Sequence, residues 1–164
     1  MNVSIVIPTY NRKPILEKCL YALENQRLNI NTSNYEIIVV DDNSEQDIAS
    51  YIKTFPNIKF HRNNENKGPA FSRNVGVDMA SGDLISLIDS DDIMHKEKLS
   101  NSVPYFVENK NNIGMTCGNY CIFKNRNINK MSRPFYSFGV PIEINWNSLL
   151  RVNYVACGSV TFKK

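Results

Sequence analysis

No apolar run in this chain approaches the roughly 18 residues that a bilayer-spanning helix needs. The longest, residues 37–40 and 84–88, are strand-sized, so a membrane-spanning chain is excluded. No Cys-x-x-Cys pair occurs among Cys19, Cys117, Cys121 and Cys157, and the histidines, His61 and His95, lie far apart. Zinc needs clustered ligands, so the cysteines read as reduced thiols of a cytoplasmic protein. A Gly-x-x-x-x-Gly-Lys-Ser/Thr loop is missing too, which excludes the phosphate loop of ATPases. Residues 2–10 have neither the basic start nor the small-residue cleavage site of a secretory signal, and none is expected. There is no internal repeat. An excess of one charge is also lacking: the net value is +3 over 164 residues, too small to imply nucleic acid.

The charge is unevenly placed. Residues 1–92 carry 9 Lys and Arg against 13 Asp and Glu, a net −4. Residues 93–164 carry 10 against 3, a net +7. The basic half is either a solvated face or one that meets an anionic substrate or a membrane surface. Hydrophobic residues make up 42% of the chain, enough to offset the ordering entropy of one compact domain.

Along residues 1–92 apolar strands alternate with helices of about ten residues. Residues 3–8 (VSIVIP) and 35–40 (YEIIVV) read as buried strands, residues 58–61 as a short third and 83–88 (DLISLI) as a fourth. Helices are expected after Asn11, which could cap the first, and after Ser44 with Asp47 three residues on. A third spans residues 70–80. This alternation calls for an α/β fold, a mostly parallel sheet with helices on both faces. Beyond Asp92 a helix is expected over 96–109, kinked or broken by Pro104, with strands over 113–123 and 158–162. A long basic segment, 124–141, and a short helix, 144–151, lie between those strands.

In such sheets ligands bind beyond the carboxyl ends of the strands. Those ends read Pro8-Thr9-Tyr10-Asn11-Arg12, Asp41-Asp42-Asn43-Ser44 and Asp89-Ser90-Asp91-Asp92. Three carboxylates in four positions suit a divalent cation held by oxygen, magnesium or manganese; they equally suit an acidic turn before a helix. Asp41-Asp42 fits a base or ribose contact, or a turn and cap. Tyr10 offers an aromatic ligand a flat face, or covers the sheet edge. Asn66-Lys67-Gly68-Pro69, with Arg73 further on, fits a phosphate at a helix start, or a surface loop.

Taken in order, residues 3–12, 36–44, 66–76 and 81–92 resemble the nucleotide-binding half of the family 2 glycosyltransferases, which have the GT-A fold. The resemblance implies a Rossmann-like domain over 1–164, with 1–92 the nucleotide-binding part and 93–164 the start of the acceptor side. It implies that Pro8, Thr9 and Tyr10 line the base and that Asp42 accepts from it, usually from uracil. Lys67 and Arg73 would belong to the nucleotide side of the pocket. Asp89 would reach the ribose and Asp91 would hold a manganese or magnesium ion on the diphosphate, with Asp92 as an acidic neighbour. The implied reaction is inverting transfer of a sugar from a nucleotide donor, expected to be of the uridine class, to a carbohydrate or lipid-linked acceptor, in the cytoplasm or at the inner face of the membrane.

The resemblance also carries a departure. Inverting members place a general base, often in a Glu-Asp pair, well after the Asp-x-Asp motif. Here Glu97, Glu108 and Glu143 are the acidic residues after Asp92, and none lies in an acidic pair. The catalytic base is therefore unassigned, and the chain reads as one shortened at its C-terminus that binds donor but transfers little. A non-catalytic module that holds nucleotide-sugar is the alternative. A nucleotidyltransferase is a weaker one, because Asn11-Arg12-Lys13-Pro14 contains no glycine.

Overall fold

The computed structural model describes residues 1–29, 31, 34–55, 57–108, 113–123, 134, 144, 147 and 155–164. Four parallel strands form the body of one sheet: β1 (Asn2–Thr9), β2 (Asn34–Asp41), β3 (Ile58–Arg62) and β4 (Leu84–Leu87). Two short strands, β5 (Met115–Cys117) and β6 (Val160–Lys163), complete it in the order β3-β2-β1-β4-β6-β5. β6 is antiparallel to both of its neighbours. The sheet is thus mixed, its parallel part being the one that the long apolar runs predict.

Alternate residues of the central strands serve opposite faces. Val3, Ile5 and Ile7 pack with Leu16, Leu20 and Leu23 of α1 (Lys13–Glu24), Ile48 and Ile52 of α2 (Ile48–Ile52), and Leu99, Val103 and Phe106 of α4 (Lys98–Glu108). On the other face Val6, Ile38, Val40 and Ile85 meet Val75, Val77 and Met79 of α3 (Pro69–Met79). There α3 lies very close to the sheet: a Cβ on Gly76 would sit 2.3 Å from Val6 Cγ1.

Two expected caps are used otherwise. The α1 N-cap is Arg12, not Asn11, and α2 is capped by Asp47, whose side chain accepts from the Ser50 N–H at 3.0 Å. Asn11 instead takes a left-handed φ of 51° and joins two loops. Its N–H donates to Ser44 Oγ at 2.8 Å, and its Oδ1 accepts from the Glu45 N–H at 2.8 Å. Pro104 neither breaks nor ends α4. Proline removes the N–H that would bond to the Ser100 carbonyl, and Asn29 Nδ2 donates to that carbonyl at 2.6 Å. The expected strand over 113–123 shortens to three residues between Gly114 and Gly118. The basic segment 124–141 and the helix expected over 144–151 lie largely outside the described residues.

At the amino end of the sheet Glu36 ties three elements together. Its Oε1 accepts from Ser4 Oγ at 2.5 Å and from the N–H and hydroxyl of Ser81 at 2.7 and 2.9 Å. Its Oε2 pairs with Lys59 Nζ at 2.7 Å. Burial opposes ionisation, but these bonds outweigh it and hold the carboxyl at about 2. A depressed carboxyl stabilises the fold above its unfolded value and loses that effect as pH falls through the folded one. The contribution is therefore full above about pH 4.5 and is lost towards pH 2. Urea melts at pH 7 and at pH 3 are expected to show Glu36→Gln less stable at pH 7 by on the order of 2 kcal/mol, with a smaller gap at pH 3. The same gap at both values would refute this.

Candidate functional site

The carboxyl ends of β1, β2 and β4 meet the start of α3 in a cleft of about 490 Å³. Pro8, Thr9, Tyr10, Asp42, Arg73, Asp89 and Asp91 line it, seven of the eight residues that the sequence singles out. Arg12, Asn66, Gly68, Pro69 and Ser90 complete the wall.

The floor is built from the backbone outward. The Asp42 N–H donates to the Thr9 carbonyl at 2.8 Å, which holds β1 and β2 together where both end. Asp41 and Asp42 then diverge. Asp41 is fully buried, and its Oδ1 accepts from the Ser44 N–H at 3.1 Å and from the Ser44 hydroxyl. It shapes the turn. Asp42 is 3% exposed and faces the cleft. Its Oδ1 accepts from Asn63 Nδ2 at 2.7 Å and from the Lys67 N–H at 3.0 Å, and its Oδ2 from the Gly68 N–H at 2.7 Å. Burial works against its charge, yet these bonds hold its carboxyl below the usual carboxylate range. Gly68 meets Asp42 with a φ of 83°, a conformation that glycine adopts without strain. Asn63 is buried, and its Nδ2 also lies 3.0 Å from Ser72 Oγ.

The other wall carries paired charges. Arg73 Nη2 donates to Asp89 Oδ1 at 2.5 Å. Burial disfavours the guanidinium charge, and the Asp89 bond more than restores it. Arg12 Nη1 pairs with Asp91 Oδ2, both side chains being about half exposed. Asp92 is pushed up by burial and by the Asp89 and Asp91 carboxylates, and drawn down by Arg12. The turn at Cys157–Ser159 presses on this corner: a Cβ on Gly158 would lie 2.7 Å from Asp92 Oδ2. Thr9 Oγ1 and Arg73 Nε are buried and have no hydrogen-bond partner among the described residues.

Lys67 contributes its backbone here and its side chain elsewhere. Its Nζ pairs with Glu65 at 3.1 Å and lies 4.8 Å from the Phe71 ring centroid, in a neighbouring hollow with His61 and Asn63. Glu97 pairs with Arg27 at 2.8 Å, and neither it nor Glu108, at the end of α4, lines the cleft. Glu143 lies outside the described residues. Arg12 is only the tail of the first strand-end stretch and Asn63 belongs to no motif; the partner of each is a distant residue that only the fold brings near.

A divalent cation would find Asp91 and Asp89 here. Among the described residues no three His, Cys, Asp or Glu side chains form a metal-binding group. A chain offering one or two carboxylate oxygens suits magnesium or manganese, which take their other oxygens from substrate phosphates and water. The donor set fits such an ion.

The profile of glycosyl transferase family 2 matches residues 4–162. This chain belongs to that family. Among its relatives, the Escherichia coli protein named UDP-Glc:alpha-D-GlcNAc-diphosphoundecaprenol beta-1,3-glucosyltransferase WfgD is 31% identical over 164 residues, 99% of this chain and 60% of that protein. The Campylobacter jejuni protein named GalNAc(5)-diNAcBac-PP-undecaprenol beta-1,3-glucosyltransferase is 34% identical over 134 residues, 78% of this chain and 41% of that protein. The crystal structure of S. aureus TarS 1-349 in complex with UDP-GlcNAc superposes with a TM-score of 0.60 at 29% identity, covering 66% of this chain and 32% of that one. The chain thus spans 60% or less of the length of each of these family members. The neighbours establish the GT-A fold. No helix among the described residues is long and apolar enough to cross a membrane.

Proposed function

We propose that this chain forms the donor side of an inverting glycosyltransferase that takes a uridine-diphosphate sugar and delivers it to a hydroxyl of a lipid-linked carbohydrate. The observation that carries the reading is the layout of the cleft. An ionised, buried carboxylate, Asp42, follows β2, and Asp89 and Asp91, paired with Arg73 and Arg12, follow β4 on the other side of β1, all lining one cleft. Asp42 is an acceptor only, which suits the imide N–H of uracil beside the flat face of Tyr10. Asp89 reaches the ribose. Asp91 would hold a manganese or magnesium ion. Such an ion, when bound, neutralises charge that builds on the departing diphosphate. Arg73, fixed by Asp89, orients the phosphate side of the donor. The names of the Escherichia coli and Campylobacter jejuni relatives support glucose as the sugar class and an undecaprenyl-diphosphate acceptor. A lipid-linked acceptor would support a location at the cytoplasmic face of a membrane.

A melting panel with uridine, guanosine and adenosine diphosphates, each with manganese or with chelator, tests the reading. Uridine diphosphate with manganese is expected to stabilise most, by about 2.7 kcal/mol at a hundred times its Kd. Asp91→Ala is expected to remove the difference between manganese and chelator. Guanosine diphosphate ranking first, or equal shifts in chelator and manganese, would overturn it.

A further inference from the structure

The acidic turn is partly neutralised before any ligand arrives. Asp89, Asp91 and Asp92 stand within four positions, and each carboxylate raises the electrostatic cost of its neighbours. Two guanidiniums face them from different elements. Arg73 is held on α3, only 20% exposed, and bonded to Asp89. Arg12 differs in every respect. It stands at the N-cap of α1, its side chain is 48% exposed, and its partner Asp91 is 46% exposed. An ion pair that open to water is weak and readily exchanged. Both members line the same cleft.

We infer that Arg12 is an exchangeable counterion: it occupies Asp91 in the empty cleft and transfers to the donor's diphosphate when a divalent cation takes Asp91. This deepens the donor reading above and rests on it. The exchange has a physical logic. A guanidinium offers several N–H donors that fit a carboxylate or a phosphate equally well, so one side chain serves both states. In the empty cleft it competes with the cation for Asp91. In the loaded cleft it adds positive charge where the diphosphate adds negative charge. Cation and nucleotide therefore favour one another's binding through Arg12, because each removes what the other would have to displace. The Arg12 backbone carbonyl accepts from the Ile15 and Leu16 N–H groups at 3.0 and 2.9 Å, contacts that a change of side chain leaves in place.

The two ligands give opposite readouts. Manganese alone, titrated by calorimetry or by loss of the free-ion paramagnetic signal, is expected to bind Arg12→Gln about two- to fivefold more tightly than the wild-type chain. Uridine diphosphate in chelator is expected to bind the same variant on the order of tenfold more weakly. Arg12→Lys, which keeps the charge and loses the fork, is expected to lie between the two for both ligands. Thermal melts of the unliganded variants check that the fold is intact. Manganese affinity that is unchanged or weaker in Arg12→Gln overturns the exchange, as do shifts of the same sign for both ligands. A wild-type chain that binds no nucleoside diphosphate overturns the donor reading, and this inference with it. A wild-type chain that binds uridine diphosphate while the variant shifts wrongly overturns the exchange alone.

Discussion

An Asp42→Ala chain is expected to lose on the order of 3 kcal/mol of stability and at least a hundredfold in affinity for uridine diphosphate. The reason is that this carboxylate has two tasks. It faces the cleft, and it also accepts from Asn63, Lys67 and Gly68, so it fixes the loop that leads into α3. Removing it leaves those donors without their acceptor and frees the segment that positions Arg73. Asp42→Asn is not a gentle substitution. Its amide nitrogen must face either the Gly68 N–H or the Asn63 and Lys67 donors, and two donors cannot bond to one another. A loss of about 1–3 kcal/mol is expected for Asn, between wild type and Ala. Urea melts and nucleotide titrations of both variants check this. Stability like that of wild type in Asp42→Ala would show that the loop does not depend on the carboxylate.

Gly76→Ala is expected to cost about 2–3 kcal/mol, which for a chain of this size lowers the melting temperature by roughly 4–12 °C. The added carbon would meet Val6 Cγ1 at 2.3 Å, and Val6 is fully buried in the middle of β1. Neither partner is a flexible surface group that can swing aside. α3 must lift from the sheet, and it carries Arg73 with it. Nucleotide affinity is therefore expected to fall together with stability. Gly76→Val is expected to be worse still. The second change Val6→Ala removes the obstructing methyl group and is expected to make Gly76→Ala nearly harmless relative to Val6→Ala alone, a coupling that a thermodynamic cycle reads directly. Strictly additive costs would refute the close contact.

The parallel half of the fold was legible because its strands are buried on both sides. Runs such as Ile37–Val40 cannot be amphipathic helices, and their polar ends mark the carboxyl edge where ligands gather. The cleft could be assembled from three such ends without coordinates. What could not be read is pairing between distant residues. Asn11 and Ser44 carry the same signature as helix caps, and only the proximity of their loops shows that they bond across the gap instead. Arg12 looked like the tail of the first motif until folding set it beside Asp91. Lys67 was the opposite case: its motif was read for the side chain, whereas the backbone N–H is what reaches Asp42. The expected strand over 113–123 was too long because its apolar residues extend past Gly118, where the ladder with β6 stops.

The strand order has a consequence for synthesis on the ribosome. β6 stands between β4 and β5, although its residues come last of the three in the chain. When Met115–Cys117 emerges, the strand it will pair with has not been made, and the outer edge of β4 has no partner in the sheet. The segment through Asp92, with all four parallel strands, is already available to fold by then. From that moment until Val160–Lys163 arrives, a nascent chain carries a finished cleft beside an open row of backbone donors and acceptors. Such an edge invites pairing with a second nascent chain until Val160–Lys163 covers it.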